Sequence, residues 1–184
     1  MTKSEIRTRA ISRRDGIDPE DRRAFSQTIC EALSDEEMFL DARAIHTYLA
    51  VGSEVDISPL LAVAWSLGKD VGMMVVDGDG GNSQLQITEG TEYVRGPHGI
   101  LQPVDATVFD MERCDLVLVP IVAADAECNR IGYGKGYYDQ FLTQYPRPSV
   151  GVAFDVQIFD ELPVDSGDVR LDVVLTESNR YSQD

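Results

Sequence analysis

The sequence predicts an α/β fold, a single three-layer domain in which helices flank a mostly parallel central sheet. Two observations predict it. Short apolar segments rich in β-branched residues alternate along the chain with segments of helical character, an order typical of parallel sheets covered on both faces. The 184 residues, 43% of them hydrophobic, suffice for one sizeable core but are few for two. No repeat, low-complexity tract or linker divides the chain, so we expect one domain over residues 1–184.

Helix starts are predicted from capping residues and prolines, and one helix end from a glycine. Apolar residues in the opening segment show a weak helical spacing, which indicates a first helix. Three further helices are predicted: one with Asp18 as N-cap and Pro19 at its first position that runs to about residue 33, one with Ser58 as cap and Pro59 at its first position that stops at Gly68, and one over residues 137–145.

The strands are predicted from short apolar runs with β-branched and aromatic residues, which suit positions buried on both faces of a sheet. Residues 77–81, with the sequence D-G-D-G-G, predict a turn, and residues 85–87 then alternate as a short exposed strand would. The five buried strands are expected over residues 44–51, 71–76, 116–119, 150–154 and 171–176.

Composition excludes several classes of protein. The formal charge of -16 argues against nucleic-acid and anionic-membrane partners, because the field of the protein would repel polyanions. The sequence contains no apolar run long enough to span a bilayer and no signal peptide, so we expect a soluble, cytoplasmic protein. Cys30, Cys114 and Cys128 form no C-x-x-C pair, which indicates neither a disulfide framework nor a zinc ribbon. The many carboxylates are compatible with a site for a hard cation such as Mg²⁺.

A glycine-rich segment before the last helix is the most informative part of the chain. Gly132, Gly134 and Gly136 alternate, so the backbone can approach a ligand and direct its N–H groups toward it. The following helix N-terminus and Lys135 add positive charge, which favours phosphate. The loop matches neither the Walker ending G-K-[ST] nor G-x-G-x-x-G. A purely structural glycine turn remains the alternative.

The segment R-I-G-Y-G-K-G-Y-Y-D-Q-F-L over residues 130–142 closely resembles the C-terminal signature of the 5-formyltetrahydrofolate cyclo-ligase family. The resemblance extends along the chain, through an early K-x-x-x-R, a Y-L-x-x-x-x-E-V-D segment, a G-I-x-x-P element over residues 99–103, and matches over residues 151–157 and 162–168. It implies a fold like that of ribose-5-phosphate isomerase and CoA transferases. The chain departs from the family at His98, Ala124, Cys128 and Gln140.

The resemblance implies a set of site residues, with Lys3, Arg130 and Lys135 in catalytic roles and Asp139 and Asp168 as Mg²⁺ ligands. It further implies folate contacts by Leu49, Glu54, Tyr133, Gly134, Lys135, Gly136 and Tyr137. The implied ATP-binding residues are Lys3, Arg7, Arg130, Ile131, Gly132, Tyr133, Gly134, Lys135, Gly136, Tyr137 and Tyr138. Structural alternatives remain open: a solvated helix face for Lys3 and Arg7, an exposed loop carboxylate for Glu54, core for Leu49, a helix first-turn residue for Asp139 and a turn residue for Asp168.

The activity that the resemblance implies is the ATP- and Mg²⁺-dependent conversion of 5-formyltetrahydrofolate into 5,10-methenyltetrahydrofolate. It would proceed through a phosphorylated formyl intermediate and release ADP and phosphate. The partner is then a small-molecule folate, and we expect a monomer. Two alternatives remain: a non-catalytic folate-binding protein, which would lose the nucleotide apparatus, and a divergent enzyme of the same fold that acts on another substrate.

Overall fold

The computed structural model describes residues 1–76, 81–96 and 101–183. Its helices are α1 (Lys3–Asp15), α2 (Pro19–Ser34), α3 (Glu37–Asp41), α4 (Ser58–Ser66) and α5 (Tyr137–Gln144). Its strands are β1 (Ala44–Thr47), β2 (Asp70–Val76), β3 (Asn82–Ile87), β4 (Tyr93–Arg95), β5 (Leu101–Pro103), β6 (Leu116–Pro120), β7 (Ala123–Asp125), β8 (Arg130–Ile131), β9 (Ser149–Val152), β10 (Ile158–Phe159), β11 (Val173–Leu175) and β12 (Arg180–Ser182).

A seven-stranded sheet forms the centre, in the order β12-β11-β9-β6-β1-β2-β3. The five inner strands are parallel to one another, and only the edge strands β3 and β12 pair in the antiparallel sense. This arrangement confirms the predicted α/β class with a mostly parallel sheet. The carboxyl ends of the five parallel strands therefore lie along one edge, where open α/β sheets commonly bind ligands.

Both faces of the central sheet are covered, as the alternation along β6 shows. Leu116 and Leu118 join the core beneath α2, α3 and α4, whereas Val117 and Val119 join the core beneath α5. Successive side chains of a strand point to opposite faces, so a fully apolar strand is required where helices lie on both sides. The result is the predicted three-layer arrangement.

Helix α1 packs on a smaller sheet instead of on the central one. Strand β7 pairs with β8 and β10, and Ile6 and Ala10 of α1 are buried against Val122, Ala123 and Ile131. Because Ile131 ends β8 and the glycine-rich loop follows directly, this packing fixes α1 beside that loop. Strands of two or three residues carry too little periodicity for sequence analysis, and β7, β8 and β10 were not predicted.

One predicted helix start is confirmed and the other is wrong by one residue. The Asp18 side chain caps α2 by accepting a hydrogen bond from the Glu20 N–H at 2.8 Å. Ser58 is not the cap of α4 but its first residue, since Ile57 is the N-cap and makes no side-chain cap bond. Asp56 Oδ1 instead accepts from the Ser58 N–H at 3.0 Å.

Several strands end earlier than predicted. Strand β1 stops at Thr47, because the following residues bond to their own loop: Tyr48 donates to the Val55 carbonyl and the Val51 N–H donates to Glu54. Strands β9 and β11 are likewise shorter than the apolar runs that predicted them, whereas β3 is longer. Residues 77–80 of the predicted 77–81 turn and residues 99–100 of the 99–103 element lie outside the described residues. Among the helices described, none is long and apolar enough to cross a membrane.

Candidate active site

Three segments meet beside the carboxyl end of β1: the loop over residues 48–54, the glycine-rich loop between β8 and α5, and one face of α1. Tyr133 of the glycine-rich loop donates a hydrogen bond to Glu54 Oε1 at 2.7 Å. Arg7 of α1 donates through Nε to the Gly132 carbonyl at 2.8 Å. The three segments thus surround one region of the protein. Nine of the fifteen predicted site residues belong to them, and the other six are Asp168, two residues of β8 and three of α5.

Glu54 is a buried carboxylate with both oxygens in use. Its side chain accepts from the Val51 N–H through Oε2 at 2.8 Å and from the Tyr133 hydroxyl through Oε1. The residue is 8% exposed, so the alternative of an exposed loop carboxylate is wrong. Leu49 lies in the same loop, is half-buried and packs against the core beneath α2 and α4.

The environment of this carboxylate alters two pKa values. Burial raises the pKa of Glu54, and the hydrogen bonds from Tyr133 and Val51 together with the charge of Arg14 offset only part of that rise. Burial and the neighbouring Glu54 charge raise the pKa of Tyr133 to about 12, although the hydrogen bond from Arg14 acts in the opposite direction. Tyr133 is therefore a neutral donor at physiological pH, aimed at a carboxylate.

The cationic face of α1 contacts the loop rather than solvent alone. Lys3 Nζ pairs with Asp165 at 2.7 Å and with Asp168, and Arg7 bonds to Gly132. Apart from this Nε bond, the Arg7 guanidinium has no hydrogen-bond partner in the described part of the chain. Its terminal nitrogens are thus available to an anionic ligand beside the loop.

The backbone of the glycine-rich loop requires glycine at two positions. Gly134 has φ of +90°, and a Cβ there would lie 3.0 Å from Arg7 Nη2. Gly136 has φ of +72° and is the N-cap of α5, with no side-chain cap bond. The first N–H groups of α5 consequently face the loop without a side-chain acceptor, which is the arrangement that favours anions. Gly132 has neither constraint.

The two predicted metal ligands lie side by side. The Val169 N–H, directly after Asp168, donates to Asp139 Oδ1 at 3.2 Å. Arg130 Nη2 donates to the same Asp139 oxygen at 2.9 Å, while Asp168 Oδ2 accepts from Lys3 and from the Asp165 N–H. Each carboxylate thus has one oxygen held by a cation and a backbone N–H, and its other oxygen has no hydrogen bond within the described ranges.

Two shifted pKa values reflect the Lys3 pair. Partial burial alone would lower the pKa of Lys3, but its hydrogen bonds and its attraction to Asp165 and Asp168 raise it above its usual value. Partial burial alone would raise the pKa of Asp168, but the bonds from Lys3 and the Asp165 N–H and the charges of Lys3 and Arg130 lower it. Both groups are charged at neutral pH. No cluster of three or more His, Cys, Asp or Glu suited to a metal occurs among the described residues, so any metal would need ligands from its substrates as well.

The remaining predicted residues lie around this centre. Lys135 is exposed at the tip of the loop and makes no polar contact with the described residues. Tyr137 and Tyr138 form the first turn of α5, and burial together with the Glu54 charge raises the pKa of Tyr138. Ile131 is buried and packs against α1. Ile131 therefore supports the loop instead of lining it.

The departures from the family pattern differ in their structural setting. Cys128 has φ of +61°, a conformation that suits the glycine common there in the family. Ala124 is fully buried in β7 and packs in the core beneath α5, and Gln140 is exposed on α5. His98 lies outside the described residues.

Sequence reasoning missed a buried polar group behind Tyr133. Arg14 is 3% exposed; it donates through Nη2 to the Tyr133 hydroxyl at 3.0 Å and through Nε to Ser53 Oγ at 2.9 Å. Ser53 in turn donates to Asp15. The helical spacing carried a signal, because Lys3, Arg7 and Arg14 follow an i, i+4, i+11 pattern that shares one face of a helix. Asp165, the second partner of Lys3, was also missed.

Known proteins are similar to this chain in sequence and fold. A sequence profile of the 5-formyltetrahydrofolate cyclo-ligase family matches residues 1–177. The chain is 29% identical over 173 residues to the 5-formyltetrahydrofolate cyclo-ligase of Escherichia coli K12, covering 90% of this chain and 95% of that one. It is 32% identical over 140 residues to a probable 5-formyltetrahydrofolate cyclo-ligase of Schizosaccharomyces pombe, covering 67% and 69%.

Solved structures agree. The NMR structure of Aquifex aeolicus 5,10-methenyltetrahydrofolate synthetase superposes with a TM-score of 0.87 at 32% identity, covering 99% of this chain and 93% of that one. A 5,10-methenyltetrahydrofolate synthetase from Mycoplasma pneumoniae shares the fold, with a TM-score of 0.77 at 22% identity, covering 96% of this chain and 99% of that one.

The fold and the site define an α/β enzyme in which a buried carboxylate and a cation-lined glycine loop meet at the carboxyl edge of a parallel sheet. The profile match spans nearly the whole chain, and the sequence relatives and the Aquifex aeolicus structure carry names of one activity. The chain belongs to the 5-formyltetrahydrofolate cyclo-ligase family. The family and the enzyme class predicted from the loop and its co-ordered matches are therefore confirmed.

Proposed function

We propose that this protein converts 5-formyltetrahydrofolate into 5,10-methenyltetrahydrofolate, using ATP and Mg²⁺ and releasing ADP and phosphate. The observation that carries the proposal is that one glycine-rich loop joins two chemically different regions. Its Tyr133 bonds to the buried Glu54, while Gly132 and Gly134 lie against Arg7. Transfer of a phosphoryl group needs its donor and acceptor side by side, and a loop without side chains at alternate positions allows that approach.

The folate end of the site would be the region around Glu54. Pterin rings carry an amino group and ring N–H groups, which are donors for a carboxylate held in position by Val51 and Tyr133. A buried acceptor is discriminating, because a ligand without matching donors would leave it unsatisfied. Leu49 would supply apolar contact, and Tyr133 and the glycine backbone would contact the remainder of the folate.

The nucleotide end would be the N-terminus of α5 with its surrounding cations. The first N–H groups of α5, the free terminal nitrogens of Arg7, and Lys3 and Lys135 would bind the phosphates. The Arg130 side chain is buried and bonded to Asp139, so its contribution within this proposal is a fixed positive charge behind that carboxylate. In a chain of net charge -16, such a cluster of cations is what an anionic substrate requires.

The residues present fit a magnesium ion. Asp139 and Asp168 are adjacent, and each keeps one carboxylate oxygen that no described residue bonds. Mg²⁺ binds through one or two carboxylates and completes its shell with water and substrate phosphate oxygens, so two aspartates suffice. When bound, the ion would neutralise charge on the phosphates and orient them. Lys3 bonds to one oxygen of Asp168 and Arg130 to one oxygen of Asp139, so the second oxygen of each carboxylate would be the metal ligand.

The chemistry follows from the weak leaving group in a formyl amide. The formyl oxygen attacks the terminal phosphorus of ATP; an O–P bond forms as the bond to ADP breaks, which leaves an iminium phosphate. The neighbouring bridge amine of the folate then attacks the formyl carbon, phosphate departs with the C–O bonding electrons, and the amine proton is released to solvent. Lys3, Arg7 and Lys135 would stabilise charge on the transferring group. No protein nucleophile is needed.

The test is the rise in absorbance at the methenyl-folate band when the protein is mixed with 5-formyltetrahydrofolate, ATP and Mg²⁺. Omission of ATP and chelation of the metal serve as separate controls, and each should abolish the rise. Folate bound without turnover would instead indicate a folate-binding protein. Turnover of other formyl amides, with none of 5-formyltetrahydrofolate, would indicate a divergent enzyme.

A further inference from the structure

Arg14 is a buried cation to which none of the roles above has been assigned. It lies on α1 and is 3% exposed, and its Nη1 is buried with no hydrogen-bond partner among the described residues. A buried guanidinium with an unused donor is destabilising by itself. Its two remaining contacts, to Ser53 and Tyr133, therefore call for a functional explanation.

The hydrogen bonds around Arg14 form a chain from the guanidinium through Tyr133 to Glu54. A guanidinium can only donate, so the Tyr133 hydroxyl must accept from Arg14 Nη2 at 3.0 Å. That hydroxyl has a single proton, and it is directed to Glu54 Oε1 at 2.7 Å. The other oxygen of Glu54 accepts from the Val51 N–H. Both Glu54 oxygens consequently act as acceptors, which is the pattern of an ionised carboxylate.

A second chain of hydrogen bonds, through Ser53, holds Arg14 in place. Ser53 Oγ must accept from Arg14 Nε, so its own proton is directed to Asp15. Ser53 immediately precedes Glu54, and Asp15 immediately follows Arg14, so this bond ties the end of α1 to the 48–54 loop. This bond holds Arg14 against the loop that carries Glu54.

We propose that Arg14 is a positioning residue of the folate site, which fixes the Tyr133 hydroxyl as a donor to Glu54 and so keeps Glu54 ionised as an acceptor for ligand N–H groups. The inference rests on the proposed function of Glu54 and deepens it. Without Arg14, the Tyr133 hydroxyl is free to rotate and to accept a proton from a protonated Glu54. Ligand donors would then meet a carboxylic acid with one acceptor fewer.

The charges around Glu54 indicate that its ionisation depends strongly on Arg14. Among the residues that the structure describes, the titratable groups facing this carboxylate are Tyr48 from its own loop, Tyr133 from the glycine-rich loop, Tyr138 from α5 and Arg14 from α1. The three tyrosines are neutral at physiological pH, so Arg14 is the one cation in this group. Burial already raises the pKa of Glu54, and loss of the neighbouring charge raises it further.

The experiment measures the dissociation constant of 5-formyltetrahydrofolate, without ATP, from pH 5 to 9 for the wild type and R14M. At pH 7.5 we expect R14M to bind about tenfold more weakly, the effect of one hydrogen bond to a charged group. Its affinity should also decline at a higher pH than that of the wild type as the medium is acidified. R13M is the matched control, because Arg13 lies on the same helix but contacts Val156 and Phe159, and it should behave like the wild type.

A double-mutant cycle distinguishes action through Glu54 from a direct or structural role. In an E54Q background, which cannot ionise, R14M should have no further effect on the dissociation constant or its pH profile. Additive losses, or an unchanged pH profile in R14M, would overturn the proposal. Equal binding by the wild type and E54Q would instead overturn the assignment of Glu54, and so the proposed function, independently of Arg14.

A second measurement needs no ligand. The ¹³C resonance of the Glu54 carboxyl, assigned by its loss in E54Q, should titrate at higher pH in R14M than in the wild type. R14K retains the charge with a different geometry and should recover part of the shift. If R14M does not fold, R14K and Y133F provide the same test, because R14K weakens and Y133F removes the hydrogen bond from Tyr133 to Glu54. If Glu54 titrates in both variants as it does in the wild type, the inference is refuted.

Discussion

The backbone of the glycine-rich loop predicts a graded response to alanine substitution at three neighbouring positions. Gly132 lies outside the left-handed region and has open space where a Cβ would stand. Gly136 has φ of +72° but no neighbour closer than 3.9 Å, and Gly134 combines φ of +90° with Arg7 Nη2 at 3.0 Å. The series therefore separates the cost of backbone strain from the cost of a displaced side chain.

The magnitudes follow from these geometries. An L-residue in the left-handed region costs about 1–2 kcal/mol, and alanine recovers about 0.4–1 kcal/mol by restricting the unfolded chain. We thus expect G136A to lose about 1 kcal/mol and G132A to be neutral or slightly stabilised. In G134A the Arg7 guanidinium must also shift, which weakens its bond to the Gly132 carbonyl and adds about 1 kcal/mol.

The assay is urea unfolding of the ligand-free protein, with the loss read as a change in the free energy of unfolding. A difference of 1 kcal/mol also corresponds to about 2–4 °C in the melting temperature for a chain of this size. In an R7M background the excess loss in G134A over G136A should vanish, because the displaced side chain is gone. Equal losses for G132A and G134A would refute the backbone argument, and an excess that persists in R7M would refute the contact argument.

The remaining predictions concern one carboxylate and one histidine. D139N should abolish turnover and also lose about 1–3 kcal/mol of stability, because it leaves the buried Arg130 without its counter-charge; full activity at every Mg²⁺ concentration would contradict the metal assignment, and D160N, an exposed control, should retain activity. Burial lowers the pKa of His46 to about 4, although its hydrogen bond to Gln84 acts in the opposite direction. The pKa of a histidine in the unfolded chain is about 6.5, so between these two pH values the folded protein binds fewer protons than the unfolded chain. Stability should fall as pH drops from 6.5 to 4, by about 3 kcal/mol more in the wild type than in H46Q, and equal declines in denaturant titrations would refute this.

Much of the architecture could be predicted because its parts are large and periodic. The strands that became β2 and β6 are apolar throughout, since they are covered on both faces, and Asp18 with Pro19 marked a helix start. The short sheet of β7, β8 and β10 carries no such signal. The early end of β1 was also hidden, because residues 48–51 are apolar yet bond within their own loop.

The site was predictable where residue types recur in a known order and less so where roles depend on burial. Lys3, Arg7, Asp139 and Asp168 followed from the resemblance, and all four lie around the loop. Their pairing did not follow. Lys3 pairs with Asp168, 165 positions later in the sequence. Arg130 and Asp139 are only nine positions apart, but they lie in different elements, β8 and α5. Glu54 could be proposed, but only the structure shows it to be a buried acceptor with both oxygens in use.

Helix α1 shows how the two ends of the site are kept at a defined separation. Lys3 bonds to Asp168 at the proposed metal and phosphate end, Arg7 bonds to the loop, and Arg14 bonds to Tyr133 at the proposed folate end. Eleven residues of helix from Lys3 to Arg14 rise roughly 16 Å, a length sufficient for a phosphoryl donor and a pterin placed in line. Because Ile6 and Ala10 fix the helix on the small sheet, this spacing is set by the fold before either substrate binds. In the proposed function, one face of this helix would align both substrates, and Arg14 would act from the same face as Lys3 and Arg7.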